Sequence, residues 1–291
     1  MIVARGKQPS VQRNAAIKAA HGELIYFLDD DARPTPESLR RAATHVADAG
    51  VKMVGGPNLC PKDAPWVEQL FAVVLSSWAL GPSRARYAKV GQLRQSSEKE
   101  LILCNLVARR ATMLELGGFD ESLYPNEENA LMDDIQKRGG KLLYDPDVIV
   151  ERRPRPTLRA FAKMLLTYGR GRAEQFRLHP TAGSALNLIP PLFCLYLMLW
   201  PLIANLISNL SRAGDIIVLI GTLPLVFYVP MLLLNALISM REHGFVRSMA
   251  AIPLVVLTHI LYGLGFWRGL FTPVRGKGSQ QVEVVLEQVR W

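Results

Sequence analysis

Three consecutive aspartates, Asp29 to Asp31, are the residues of this sequence best suited to chemistry. They follow Leu24 to Leu28, an apolar run whose aromatic and β-branched members are typical of a buried strand. Adjacent carboxylates repel one another unless a cation lies among them, and Mg²⁺ prefers carboxylate oxygens as ligands. Ligands bind at the carboxyl ends of strands in open α/β sheets. The pattern predicts a metal site, with a solvated acidic turn as the alternative.

A second acidic pair, Glu127-Glu128, precedes a stretch from Ala130 to Arg138 that has helical spacing. Acidic residues at the start of a helix interact favourably with its dipole. Taken alone, the pair is therefore best interpreted as an ordinary helix start. Its position among the other motifs of the chain is what makes it a candidate for catalysis.

Alternating strand and helix patterns surround these acids. Met1 to Ala4 predicts a strand and Ser10 to Ala20 a helix, so that Leu24 to Leu28 completes a β-α-β unit. Trp66 to Leu80 predicts a helix too short to cross a bilayer, which requires about 20 residues. The other predicted strands are Val51 to Gly56, Leu101 to Ala108, and two edge strands, Lys141 to Tyr144 and Asp147 to Val150.

Composition limits the class of partner. The 291 residues include 34 Lys and Arg against 25 Asp and Glu, for a net charge of +9. Many basic residues fall between positions 152 and 177, directly before an apolar region, which is typical of the cytoplasmic flank of a membrane anchor. A nucleic-acid partner is not expected, because the sequence has no helix-turn-helix or zinc-finger pattern. Three widely spaced cysteines indicate neither a disulfide framework nor a zinc site.

Three apolar stretches of spanning length follow, at about 188–210, 216–240 and 249–271. We therefore predict a soluble domain over residues 1–150, a basic juxtamembrane or interfacial segment over 151–186, transmembrane helices over 187–272 and a tail over 273–291. The three stretches predict a multi-pass protein of the cell membrane. If the basic segment is cytoplasmic, the charges of the two loops between the spans agree with the positive-inside rule, and the soluble domain is expected in the cytoplasm. After three spans the tail should lie outside the cell, but its basic residues argue against that position. We therefore leave open on which side of the membrane the tail lies.

Several motifs, in this order, resemble the nucleotide-sugar-binding half of family 2 glycosyltransferases of the GT-A fold. The Arg13-Asn14 helix precedes a strand ending in an Asp-x-Asp pattern, and arginine-rich motifs resemble the membrane-attached branch typified by succinoglycan-biosynthesis transferases. The remaining pieces are Gly55-Gly56, Gly117-Gly118-Phe119-Asp120-Glu121, the pair Glu127-Glu128, Gly139, Arg153-Pro154-Arg155 and Tyr168-Gly169-Arg170-Gly171-Arg172.

The resemblance implies a role for each candidate residue. Asp31 would bind Mg²⁺ or Mn²⁺, and Asp29 the metal or the ribose, because they occupy the ends of the Asp-x-Asp pattern. Glu128, or else Glu127, would be the general base that deprotonates the acceptor hydroxyl. Weaker candidates for binding the nucleotide are Asp30, Arg13, Arg153 and Arg170, the last two through guanidinium contacts to the diphosphate.

The sequence departs from the family in two respects. The family's domain begins with a further β-α-β unit that holds the nucleoside, so we expect a chain truncated at its amino end or completed by a partner chain. The family's acidic pair is usually Glu-Asp rather than Glu127-Glu128, and a histidine often found after the last strand is replaced here by the region of Arg152 and Arg153.

These observations predict a membrane-anchored, metal-dependent glycosyltransferase of surface polysaccharide or glycolipid synthesis. It would transfer a sugar from a nucleotide-diphosphate sugar to a glycan or lipid-linked acceptor, with the inversion that the resemblance implies. The alternative is a non-catalytic fragment or a membrane subunit that scaffolds a complete transferase. A small transporter would be expected to carry ionisable residues inside its spans. It is less favoured, because His259 is the one such residue well inside the apolar stretches.

Overall fold

The computed structural model of the chain describes residues 2–6, 8–123, 125–180, 186–209, 212–274 and 285–288. These residues form two compact units. The first consists of the described parts of Met1–Ser76, Leu80–Pro154 and Pro273–Trp291, and the second of Ser77–Ala79 and the described parts of Arg155–Thr272. Each unit is considered by itself.

The strands and helices are numbered in chain order. The strands are β1 (Ile2–Arg5), β2 (Leu24–Leu28), β3 (Arg33–Pro34), β4 (Val51–Gly55), β5 (Asn58–Leu59), β6 (Arg94–Gln95), β7 (Asn105–Arg109), β8 (Lys141–Tyr144), β9 (Val150–Glu151) and β10 (Val285–Gln288). The helices are α1 (Pro9–Ala19), α2 (Ser38–Val46), α3 (Trp66–Leu75), α4 (Arg110–Glu115), α5 (Glu127–Lys137), α6 (Leu158–Leu178), α7 (Ile189–Ser208), α8 (Arg212–His243) and α9 (Phe245–Phe271).

A mixed five-stranded sheet, in the order β2-β7-β4-β8-β6, organises the first unit. Its one parallel pairing joins β4 to β8, and the other neighbours are antiparallel. Side chains alternate between the two faces of the sheet, as the period of a strand requires. On β7, Leu106 packs with Met132 and Ile135 of α5, and Val107 packs with the α2 side of the sheet.

The sheet corrects three sequence-based expectations about strand position. β2 lies at an edge of the five strands and is only half-buried, and Leu28 at its end is 40% exposed. β1 pairs antiparallel with β10 and is not placed beside β2, so the predicted β-α-β unit is wrong. The predicted edge strand Lys141–Tyr144 lies between β4 and β6. Local patterns locate strands along the chain but carry no information about which distant segment is the neighbour.

A small three-stranded sheet, β3-β9-β5, holds the segment that follows the aspartates. β3 is antiparallel to β9, with Arg33 opposite Glu151, and β5 is parallel to β9. The residue after Glu151 is Arg152, whose backbone N–H donates to the Leu59 carbonyl at 2.9 Å. This register places Arg152 beside the turn that carries the aspartates.

Helix α5 begins earlier than its apolar spacing predicts. It starts at Glu127, so both glutamates lie in its first turn, where carboxylates are favoured by the helix dipole. Asn126 immediately precedes it with φ of 88°, a left-handed conformation that asparagine adopts more readily than most residues. The turn therefore orients the two glutamate side chains relative to α1.

The second unit consists mainly of α6 and three helices that are long and apolar enough to cross a membrane. These are α7, α8 and α9, which correspond to the three predicted spans. Helix α6 packs closely on α9 through glycines on both helices. A Cβ atom added at Gly169 would overlap the Tyr262 carbonyl, and one at Gly265 would overlap the Leu166 carbonyl. Small residues permit such close approach between helices in membranes.

Two polar residues of the apolar helices bind the short segment Ser77–Ala79 within the second unit. Asn235 Oδ1 accepts hydrogen bonds from Ser77 Oγ at 2.9 Å and from the Trp78 backbone N–H at 3.1 Å. His259 Nε2 lies 3.3 Å from the Ala79 carbonyl oxygen. His259 is thus a hydrogen-bonded packing residue, which gives no support to a transporter.

Candidate functional site

The end of β2 places two of the three aspartates around a single cation. Arg152 NH1 lies 2.7 Å from Asp29 Oδ2, and its Nε lies 2.6 Å from Asp31 Oδ1. The side chains of Asp29 and Asp31 are 34% and 52% exposed, and that of Arg152 is 19% exposed. Asp30, between them in sequence, is exposed. The first and third carboxylates therefore converge, and the middle one does not share their cation.

This donor set suits a hard divalent cation that is shared with a phosphorylated substrate. Across the described ranges, there is no group of three or more His, Cys, Asp or Glu side chains that could hold a metal by themselves. Mg²⁺, however, is commonly bound by one or two carboxylates together with substrate phosphate oxygens. The guanidinium group shows that Asp29 and Asp31 can contact one cation together. The two residues fit a metal that a diphosphate helps to hold.

The other acidic residues are positioned by α1. Arg13 NH1 forms an ion pair with Glu127 Oε1, whose side chain is only 3% exposed. Glu127 Oε2 is buried and has no hydrogen-bond partner among the described residues. Burial, followed by the charge of Glu128, raises the pKa of Glu127 to about 7, although Arg13 acts in the opposite direction. A glutamate so enclosed cannot contact an acceptor without first moving.

Glu128 has a more accessible environment than its neighbour. Its side chain is half-buried, and its Oε1 accepts a long hydrogen bond of 3.4 Å from Asn129 Nδ2. Asn129 also donates to Asn126 Oδ1 at 2.8 Å and accepts from Arg86 NH2 at 3.0 Å. These bonds fix the turn on which Glu128 lies and leave its carboxylate within reach of solvent.

Two of the motifs named above are joined by one asparagine. Asn14 Oδ1 accepts the Phe119 N–H at 2.8 Å, and its Nδ2 donates to the Phe119 carbonyl and to Glu121 Oε1, each at 2.9 Å. Gly118 has φ of 83°, and a Cβ there would overlap Asn14. The Arg13-Asn14 helix therefore packs against the Gly117–Glu121 turn through Asn14, and this contact holds Arg13 in place.

Arg13, which binds Glu127, also lines a groove that reaches Asp29. A cavity of about 280 Å³ lies between α1 and β2, and both Arg13 and Asp29 line it. Most of the remaining wall is apolar, formed by Ala16, Ile17, Ala20, Ile25, Phe27 and Leu28. Ligand sites typically have this combination of an apolar wall and a few polar groups. One groove thus ends at the aspartates and at the arginine that binds Glu127.

The two remaining arginine candidates bind other acids. Arg153 makes a bidentate contact with Glu68, whose side chain is 5% exposed, with bonds of 2.6 and 2.9 Å. Arg170 belongs to α6 of the second unit, where its Nε lies 3.3 Å from Glu174 Oε1. The structure therefore places Arg152, which sequence reasoning had not selected, against the aspartates. The sequence does offer one signal for it, because the region of Arg152 and Arg153 replaces a histidine that the resembled family often has after its last strand.

Comparison with known proteins identifies several relatives. The family model described as "Glycosyl transferase family group 2" matches residues 24–266. Two curated proteins, pre-mycofactocin glycosyltransferases from two strains of Mycobacterium tuberculosis, are 24% identical over 216 residues, or 74% of this chain and 44% of theirs. The chain thus spans less than half the length of these curated relatives. A solved mannosyltransferase from Pyrobaculum calidifontis, in complex with GDP-Man and Mn²⁺, aligns with a TM-score of 0.47 and 17% identity over 87% of this chain and 67% of that chain.

Proposed function

The chain belongs to glycosyl transferase family group 2, and from this premise we propose that it transfers a sugar from a nucleotide-diphosphate sugar to a glycan or lipid-linked acceptor. The mixed α/β sheet followed by long apolar helices confirms the predicted GT-A-like fold class. The observation that carries the proposal is that Asp29 and Asp31, at the end of β2, both contact the guanidinium group of Arg152.

The aspartates would act on the leaving group. Cleavage of the bond between the sugar and the diphosphate leaves negative charge on the phosphate oxygens, and a bound Mg²⁺ or Mn²⁺ would neutralise that charge. Asp31 and Asp29 would hold the metal, and their partial exposure leaves room for phosphate oxygens beside them. Asp30 has a weaker claim, because its side chain is exposed and the ion pairs of Arg152 are with Asp29 and Asp31. The chemistry of the donor set supports either metal.

Glu128 would act on the acceptor. A carboxylate within hydrogen-bond reach of the attacking hydroxyl can take its proton as the bond to the sugar forms. Glu128 is accessible, whereas Glu127 is enclosed and paired with Arg13, so we assign the base to Glu128 and a positioning role to Glu127. One displacement assisted by one base gives inversion at the anomeric carbon, as the resemblance to family 2 enzymes implies.

Arginine side chains would help to hold the nucleotide. Arg13 lines the groove that ends at Asp29 and is the best supported of them. Arg153 and Arg170 each already bind an acid, so a diphosphate would have to compete with Glu68 or with Glu174 for them. A further β-α-β unit beside this half-site, whether from the same protein or from a partner chain, stays a prediction.

The apolar helices would anchor the protein in the cell membrane. Large apolar side chains are exposed along α7 and α8, as expected for contact with lipid. With the basic segment before α7 in the cytoplasm, the catalytic unit would face the cytoplasm, where nucleotide sugars are available. The membrane would then hold a lipid-linked acceptor near the site, consistent with synthesis of a surface polysaccharide or glycolipid.

Binding of nucleotides tests the proposal against a scaffold without catalytic function. The full chain, purified in detergent, is titrated with UDP and with GDP in the presence and absence of Mn²⁺. We expect saturable binding of at least one nucleotide that Mn²⁺ strengthens and that Asp31→Asn weakens. Binding of neither nucleotide, in protein whose thermal unfolding is cooperative, would favour the scaffold.

A further inference from the structure

Arg152 occupies the position at which the proposed metal would bind. Its guanidinium group contacts one oxygen of Asp29 and one of Asp31, at 2.7 and 2.6 Å. A guanidinium group is always protonated in proteins, so Arg152 carries a permanent positive charge. A divalent cation bound by the same two oxygens would therefore be repelled by the positive charge of Arg152.

The backbone keeps this arginine close to the acids whether or not its side chain touches them. Pairing of Glu151 with Arg33 and the bond from the Arg152 N–H to the Leu59 carbonyl fix its Cα position. Only the side chain can therefore leave the aspartates, by rotation about its own bonds.

The structure also contains an alternative partner for the guanidinium group. Arg152 also lines a small cavity of about 30 Å³, together with Asn58, Tyr87 and Pro154. Asn58 Oδ1 is buried and has no hydrogen-bond partner among the described residues. A buried acceptor without a donor is costly, and a guanidinium group turned toward it would satisfy it.

We propose that Arg152 is an internal counter-ion that competes with the divalent metal for Asp29 and Asp31 and is released when metal and donor bind together. This inference rests on the proposed function, because it assumes that the two aspartates hold a metal. Without a nucleotide, the guanidinium group neutralises the carboxylates and metal binding is weak. With a nucleotide, the negative charge of the diphosphate offsets the charges of both the metal and the guanidinium group, so the aspartates can bind the metal. The metal and the nucleotide therefore strengthen each other's binding.

Arg152 is thus a positioning residue whose effect should be visible in metal binding itself, apart from turnover. The test is titration of Mn²⁺ into the full chain in detergent, with free Mn²⁺ measured by electron paramagnetic resonance. Arg152→Gln removes the competing charge, and Arg152→Lys retains it in a protein that should fold even if the first variant is unstable. Arg33→Gln is the matched control, because Arg33 is exposed and lies two residues from Asp31. Asp31→Asn reports whether the aspartates hold Mn²⁺ at all.

Without nucleotide, Arg152→Gln should bind Mn²⁺ at least tenfold more tightly than the wild type, and the Arg152→Lys and Arg33→Gln variants should stay within about threefold of it. Adding UDP or GDP should strengthen Mn²⁺ binding at least tenfold more in the wild type than in Arg152→Gln. Unchanged Mn²⁺ affinity in Arg152→Gln, with weakened binding in Asp31→Asn, would refute the role of Arg152 alone. Wild-type affinity in Asp31→Asn would refute the metal assignment, and this inference with it.

Discussion

Removing Arg13 should make the stability of the protein depend on pH above neutrality. Glu127 has an ordinary pKa of 4.5, which burial and the charge of Glu128 raise to about 7 in the folded protein. Between these values the unfolded chain binds fewer protons than the folded one, so stability falls as pH rises. At about 1.4 kcal/mol per pH unit, the wild type loses about 3 kcal/mol across this window and little more above pH 7.

Arg13→Leu removes the cation that opposes this shift, so the pKa of Glu127 should rise further. At pH 6 Glu127 is mostly protonated in both proteins, and the substitution should cost little through this group. Above pH 7 the wild-type curve levels off, but the variant keeps losing stability, by up to about 1.4 kcal/mol per pH unit, because its folded state still binds a proton that the unfolded chain has released. The cost of the substitution should therefore grow with pH.

The assay is thermal unfolding of the full chain in detergent from pH 5.5 to 8.5, comparing variants at each pH. Glu127→Gln is the matched control, because its amide does not titrate and the loss of stability between pH 5.5 and about 7 should disappear. In the Glu127→Gln background, Arg13→Leu should have the same effect at every pH. A cost of Arg13→Leu that does not change with pH in the wild-type background would refute the reasoning.

Three further substitutions test other parts of the account. Glu128→Gln should lower turnover by 10² or more without weakening nucleotide binding, as expected for a general base, and equal loss of both would contradict that role. Asn105→Leu removes the hydrogen-bond partner of the buried Val148 carbonyl and of the Tyr26 hydroxyl, and one of the two donors to the Pro57 carbonyl, and should destabilise the first unit by about 2–4 kcal/mol, measured by thermal unfolding. Gly169→Ala places a Cβ against the Tyr262 carbonyl and should lower the unfolding temperature by weakening the packing of α6 on α9, so an unchanged temperature would argue against that contact.

Features that depend on local sequence were predictable. The apolar run before Asp29 does form a strand, and the three apolar stretches do form long helices, because both follow from residue type and spacing within about 30 positions. The Arg13-Asn14 pair and the Gly117–Glu121 motif were recognised as family pieces. The structure adds their physical relation, in which Asn14 binds the turn at Phe119.

Features that depend on distant pairing were not predictable. Nothing near β1 indicates that its partner is β10, close to the other end of the chain. The contact of Arg152 with the aspartates needs the register of β3 against β9, across more than 100 residues. Likewise, the burial of Glu127 depends on where α1 packs, so the sequence alone could not decide between the two glutamates as base.

The most direct test of the central claim is transfer of sugar itself. The full chain in membranes is incubated with Mn²⁺ and radiolabelled nucleotide sugars, in separate reactions, and label in lipid-extractable and polymeric products is counted. The account predicts transfer by the wild type that chelation of the metal abolishes, and at least a 100-fold lower rate in both Asp31→Asn and Glu128→Gln. Wild-type rates of transfer in either variant would contradict the assignment of these two carboxylates.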